Sequence, residues 1–177
     1  MTKRDDNKFK RRPGDAYATP ARAVLPLLPH ISRARNYIET CAGAGALVQH
    51  LAQHCKTCVL ACDVTPTHSS VRERDALTLD DKDGAQAFIT NPPWTRPIMH
   101  ALIMHLSDIM PTWLLIEADL MCTKQAAPLL ERCDMVVAIG RVRWMAGTKH
   151  DSFDNCAWYR FDRRHKDGPR FFGRSDD

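Results

Sequence analysis

The chain predicts an α/β fold, a mainly parallel sheet with helices on both faces. Three observations predict it. Short apolar runs of strand length recur at residues 36–39, 58–62, 87–90, 113–116, 135–139 and 157–161. Segments with helical character separate the early ones, and alternation of this kind brings parallel strands under crossover helices. The last two runs have no helix between them. A polar and aromatic loop over 140–156 joins them instead, which predicts an antiparallel pair at one edge of the sheet.

The first 14 residues hold Lys3, Arg4, Lys8, Lys10, Arg11 and Arg12 and read as a basic flexible arm. A single folded domain is expected over 15–162, followed by a basic polar tail over 163–177. Thr19-Pro20 reads as a helix start, a hydroxyl cap followed by proline at the first helical position. Val24, Leu25 and Leu28 give that helix an apolar side, and Pro26 and Pro29 limit its length. Residues 44–54 read as a helix with Leu47, Val48 and Leu51 on one face. A short helix is expected at 69–74. Ile98, Met99, Leu102, Ile103, Leu106, Ile109 and Met110 mark an amphipathic helix, and 118–127 reads as another, disturbed by Pro128.

The 177 residues suffice for one sizeable core, and no apolar stretch has the length of a membrane span. The N-terminus leads into no apolar signal region, and seven cysteines, an odd number, read as reduced thiols, so the cytoplasm is the expected location. The net charge of +4 is unevenly placed. The arm, a stretch with Arg141, Arg143 and Lys149, and a tail with Arg160, Arg163, Arg164, Lys166, Arg170 and Arg174 are basic. Such clusters suit a polyanion, since neutralised phosphates release counterions, and solvated tails are the alternative reading.

Three segments carry candidate chemistry. Glu39-Thr40-Cys41-Ala42-Gly43-Ala44-Gly45-Ala46-Leu47 lies between a strand and a helix, and its glycines allow a tight turn and close backbone approach to a ligand. Asp63, at the end of the next strand, can accept hydrogen bonds from both hydroxyls of a ribose. Asp75 can accept from a ring amino group or serve as a turn cap. Asn91-Pro92-Pro93-Trp94 follows a buried strand and precedes a helix start. An amide, two prolines and an aromatic ring at a strand's carboxyl end can grip a planar group by its exocyclic nitrogen and stack on its face. Cys55-x-x-Cys58 has zinc-ligand spacing but no second paired motif, so no metal is expected.

In this order, the pieces resemble the class I S-adenosylmethionine-dependent methyltransferases, and among them the N6-adenine DNA methyltransferases of bacteria and phages. The likeness runs from about Tyr17 to Phe161. Tyr17-Ala18-Thr19-Pro20 resembles the family's Tyr-x-Thr-Pro segment, residues 39–47 its cofactor loop, and Asn91 to Trp94 its catalytic (Asp/Asn/Ser)-Pro-Pro-aromatic signature, with Trp94 where Tyr or Phe is commoner. The resemblance implies a Rossmann-like, seven-stranded sheet and methyl transfer from S-adenosylmethionine to adenine N6 in DNA, by a monomer or homodimer. It implies catalysis by Asn91, Pro92, Pro93 and Trp94. It implies cofactor contacts from Tyr17, Thr19, Pro20, Glu39, Cys41, Ala42, Gly43, Gly45, Asp63, Val64, Asp75, Ala76 and Asn91. Trp94, Arg141, Arg143, Trp144, Lys149 and Phe153 would face the substrate, with Trp144 or Phe153 as the second wall around a flipped base. The small domain is similar to phage or prophage enzymes that protect DNA against restriction. Adenine in RNA, a protein glutamine amide and N4 of cytosine stay open as acceptors, as does a catalytically silent nucleic-acid-binding module.

Overall fold

The computed structural model describes residues 17–144 and 154–174. Residues 1–16 and 175–177, and Lys149 and Phe153 of the long loop, lie outside the described residues. In chain order the elements are α1 (Ala21–Val24), a 3-10 segment (Leu25–Ile31), β1 (Asn36–Glu39), α2 (Ala46–Ala52), β2 (Thr57–Asp63), β3 (Arg72–Glu73), β4 (Ala87–Thr90), α3 (Arg96–Ile109), β5 (Thr112–Glu117), α4 (Ala127–Leu130), β6 (Cys133–Arg141), β7 (Asn155–Phe161) and β8 (Arg170–Phe172). The strands form one eight-stranded sheet in the order β3-β2-β1-β4-β5-β7-β6-β8. All pairs are parallel except those of β7.

The mainly parallel sheet follows from its apolar strands, which bury side chains on both faces. Tyr37, Ala87, Ile89, Trp113, Leu115, Val137 and Trp158 join one cluster under α1, the 3-10 segment and α2. Their neighbours Ile38, Phe88, Leu114, Ile116, Tyr159 and Phe161 point the other way, towards α3 and α4. The expected amphipathic helix is α3, with Met99, Leu102, Ile103 and Leu106 buried.

Several elements differ from expectation. β7 does pair antiparallel with β6, but it is inserted between β6 and β5. Cys156, Ala157, Trp158 and Tyr159 are all buried, and a strand that apolar on both faces needs a neighbour on each side. The edge is formed by β8, from residues read as a polar tail. Residues 69–74 give a turn and the two-residue β3, and 118–127 breaks into 3-10 turns at Ala118–Cys122 and Lys124–Ala126. Thr19 is buried, and Pro20 stands at the cap position, so α1 starts one residue later than expected and without a side-chain cap.

A buried bond helps tie the N-terminal segment to the sheet. Trp158 is 0 % exposed and its indole N–H donates to the Ala23 carbonyl at 2.7 Å. Trp158→Phe keeps most of the apolar contact and leaves that carbonyl without its partner. We expect a loss of about 1–3 kcal/mol in urea unfolding, the cost of an orphaned buried acceptor; a change below about 0.5 kcal/mol, the range of neutral surface substitutions, would mean the bond holds nothing.

Candidate active site

The strand order reverses between β1 and β4, the switch point where open α/β sheets place ligands beyond the strand ends. The two motifs singled out above occupy that point. The glycine loop leaves the end of β1 and Asn91 to Trp94 leave the end of β4, and the two strands are direct parallel neighbours.

Gly43 and Gly45 have φ of 53° and 82°, left-handed conformations that glycine adopts without strain. Asp63 holds this loop. Its Oδ2 accepts from the Gly43 N–H at 2.8 Å and its Oδ1 from the Thr65 N–H at 2.9 Å. A carboxylate oxygen has more than one lone-pair site, so these bonds are compatible with a further hydroxyl ligand. Asp75 is engaged as a turn cap, its Oδ1 accepting from the Leu77 N–H at 2.9 Å. Val64 and Leu77 are large apolar residues left 57 % and 40 % exposed beside these two carboxylates, and Ala76 is buried behind them. Sequence reasoning missed Leu77; an exposed apolar residue inside the turn that Asp75 caps was the available signal.

A cavity of about 280 Å³ lies behind the loop, lined by Gly45, Val48, Ala61 and Val71 among others. It opens on the flank between α2 and β2, which the helix-free segment between β2 and β3 leaves uncovered. Its lining includes no residue of the Asn91 turn.

Asn91 is half-buried, and its side-chain Nδ2 donates to the Tyr17 carbonyl at 3.4 Å. With the amino end held there, the amide oxygen is the end left to face a ligand. Pro92 is buried beside it. Trp94 is fixed across the rim of the sheet, its indole N–H donating to the Leu115 carbonyl at 3.1 Å. Trp144 meets Trp94 edge-to-face at 5.5 Å and lies 6.4 Å from Tyr17, so three aromatic rings gather around Asn91.

Beneath the two loops sits a buried polar contact. The Thr90 hydroxyl donates to Glu39 Oε1 at 2.6 Å and accepts from the Cys41 N–H at 3.1 Å. Thr90 and Glu39 are 0 % and 1 % exposed. Glu39 Oε2 makes no well-aligned hydrogen bond among the described residues, although the Cys41 and Asn91 backbone amides lie close enough to favour the charged carboxylate. Burial pushes the Glu39 carboxyl up to about 8, against the opposing pull of the Thr90 hydroxyl and nearby backbone amides. Burial likewise pushes the Cys41 thiol up to about 12, so it is a neutral thiol and no nucleophile. Thr90 was also missed by sequence reasoning, although a hydroxyl in an otherwise apolar strand, directly before Asn91, was visible.

Charge divides between the ends of the sheet. Arg141 and Arg143 are exposed at the carboxyl end of β6, the end that holds Asn91. β8 runs parallel to β6 and brings Arg174 over Gly140, 3.4 Å from where a Cβ would stand. The other basic residues of the C-terminal stretch lie at the opposite end, where Phe161 faces the first residues of β5 and β6. There Arg164 pairs with Asp162 at 2.8 Å, Arg132 with Asp108 at 2.8 Å, and Arg160 with Asp134. The Arg164 guanidinium holds the Asp162 carboxyl below its usual range. Among the described residues no helix is long and apolar enough to cross a membrane.

No family model matches the sequence, and no curated protein matches it. Solved structures do match. An assigned RNA methyltransferase from Pyrococcus horikoshii superposes with a TM-score of 0.61 at 14% identity, over 84% of this chain and 88% of that one. The modification subunit of an assigned type I restriction enzyme from Vibrio vulnificus gives 0.55 at 12% identity, over 92% of this chain and 48% of that one. An assigned class I S-adenosylmethionine-dependent methyltransferase from Listeria monocytogenes gives 0.54 at 9% identity, over 90% and 66%. This chain spans about half the length of the restriction subunit. At such low identities the likeness establishes the fold, which is the Rossmann-like class I methyltransferase fold expected from the sequence, with one strand more.

The Glu39 carboxyl has a stability consequence with a definite sign. Its folded value lies above the ordinary 4.5, so the folded protein binds more protons than the unfolded chain between about 4.5 and 8. Stability from this group is fully present below about 4.5 and is lost as pH rises through about 8. Urea unfolding of wild type and Glu39→Gln across pH 5 to 9 should show wild type losing stability relative to the variant as pH rises, levelling above about 8. A constant difference would mean that Glu39 is ionised throughout.

Proposed function

We propose that the protein transfers a methyl group from S-adenosylmethionine to the exocyclic N6 amino group of adenine in DNA. The observation that carries this reading is the Asn91 amide, held at its nitrogen by the Tyr17 carbonyl and set at the switch point beside the glycine loop.

The residues present fit the cofactor. The left-handed glycines give a loop that a ligand can approach closely, Asp63 offers a carboxylate for ribose hydroxyls, and exposed Val64 and Leu77 offer apolar surface for a flat ring. Glu39, Cys41, Ala42, Gly43 and Gly45 on the loop, Asp63, Val64, Asp75, Ala76 and Leu77 on the next segments, and Tyr17, Thr19 and Pro20 on the N-terminal segment would hold it. When bound it supplies an electrophilic sulfonium methyl, and it departs as S-adenosylhomocysteine.

The work left to the chain is to make a poor nucleophile attack. The adenine amino lone pair is delocalised into the ring. The Asn91 amide oxygen and the Pro92 carbonyl each accept one of its hydrogens, which draws the nitrogen towards tetrahedral geometry and frees the lone pair. Pro93 stiffens the turn that holds both acceptors. Trp94 stacks on the base, its ring plane fixed by the bond to Leu115. The surplus proton passes to water. Rate enhancement then comes from positioning and from acceptors matched to developing charge.

A duplex target must leave the base stack, and an aromatic wall offsets part of the lost stacking. Trp144 meets Trp94 edge-on and so would border the stacked base rather than sandwich it, while Arg141, Arg143 and Lys149 contact phosphates. DNA is favoured as substrate by the exposed arginines at the Asn91 end of the sheet and by the likeness to a restriction-modification subunit. Adenine in RNA is the second reading, favoured by the likeness to an assigned RNA methyltransferase.

Labelled S-adenosylmethionine with DNA, RNA and protein acceptors tests the reading. Label in DNA that contains adenine, and none in DNA without it, is the expected result. Label in RNA alone selects the second reading, and label in cytosine or protein alone rejects both. Asn91→Ala should lower kcat at least about 10²-fold, as loss of one transition-state hydrogen bond does in other enzymes, a larger factor than the loss of S-adenosylhomocysteine affinity measured by calorimetry. Unchanged kcat would remove Asn91 from the chemistry.

A further inference from the structure

Thr90 touches neither a reacting group nor a surface, yet from the Asn91 side of the site its hydroxyl makes two bonds across to the other. It is the last residue of β4 and is followed directly by Asn91. Its hydroxyl accepts from the Cys41 N–H, which opens the glycine loop, and donates to Glu39, which ends β1. Further along, the same loop is held by Asp63 through the Gly43 N–H. An unbroken series of bonds therefore runs from the end of β2, through the loop, to the peptide that carries Asn91.

A strand of this kind would pack well with valine at that position, since Ala87, Phe88 and Ile89 before it are all apolar and buried. A hydroxyl placed there brings a carboxyl into the core with it, and one oxygen of that carboxyl makes no well-aligned hydrogen bond among the described residues. Buried polar groups of this sort are costly, and they specify geometry when satisfied. Packing alone does not account for the pair. Its position between the two loops does.

We propose that Thr90 is a positioning residue: its hydroxyl locks the cofactor loop to the Asn91 turn and so sets the approach of the methyl donor to the acceptor nitrogen. The inference rests on the methyltransferase reading for its activity test but not for its geometry. In-line transfer is sensitive to small displacements, and a misplacement on the order of 1 Å can cost about 10²-fold in rate. Removing the hydroxyl leaves each loop intact and uncouples one from the other. The chemical step should suffer more than binding of either substrate.

The test uses the full chain with Thr90→Val, which keeps shape and removes the hydroxyl, and Thr90→Ser, which restores it. Under the proposal Thr90→Val lowers kcat by at least about tenfold, with KM for DNA and affinity for S-adenosylhomocysteine changed less than about threefold, and Thr90→Ser recovers kcat to within about threefold. If Thr90→Val does not fold, Thr90→Ala carries the same test. A kcat unaltered by loss of the hydroxyl, or a loss that serine does not rescue, overturns the proposal. A second readout is independent of substrate. In amide-resolved NMR the Cys41 backbone and Asn91 side-chain signals should shift in Thr90→Val and return in Thr90→Ser. If wild type methylates no acceptor, the functional reading fails, and the NMR signals alone then decide the coupling: shifts that serine reverses support it, and unmoved signals overturn it.

Discussion

The parallel pairing of β1 with β4 is the constraint on which the site depends. Tyr37 pairs with Ala87 and Ile38 with Phe88, so the two strands end side by side at Glu39 and Thr90. Each strand is too apolar to sit anywhere but the middle of the sheet. Each continues into a loop at the switch point of the sheet. The core therefore fixes where the glycine loop and the Asn91 turn begin, and the contact between Thr90 and Glu39 ties the two starts together. A buried carboxyl is tolerated there because it can hold its proton near neutral pH, which removes the charge that low dielectric penalises.

Above that contact the site is built from restraint of ordinary parts. An asparagine is turned by a backbone carbonyl, a tryptophan is pinned by another, and an aspartate holds the glycine loop. None of these bonds involves a group strained out of its usual conformation except the left-handed glycines, which accept it freely. The two ends of the sheet have separate characters. At the far end, acidic neighbours pair with Arg160 and Arg164, and at the Asn91 end Arg141 and Arg143 are exposed and Arg174 lies over Gly140.

Much of this was legible in the sequence, for physical reasons that differ by element. β1, β4 and α3 were legible because both-face burial and helical periodicity leave direct marks on residue order. The glycine loop and the Asn91 turn were legible as rare residue combinations at strand ends. β7 was legible as a strand but not in its place, because chain order carries no record of insertion between two earlier strands. β8 was hidden by Arg170 and its polar neighbours, which disguise a three-residue edge strand as tail. Residues 69–74 read as a helix, whereas the chain turns there and pairs with β2 for only two residues. Asp75 could be read as a ligand or as a cap, and the cap is what its Oδ1 makes. Thr90 escaped notice because its significance lies in a contact with Glu39, 51 residues away in the chain.

The account rests on one amide oxygen facing one amino group. A crystal structure of the protein with S-adenosylhomocysteine and an adenine-containing oligonucleotide measures that directly. The account predicts the Asn91 oxygen and the Pro92 carbonyl each about 3 Å from the same adenine N6, with the Trp94 ring against the face of the base. An adenine bound elsewhere, or an Asn91 side chain turned away from an occupied pocket, would contradict it.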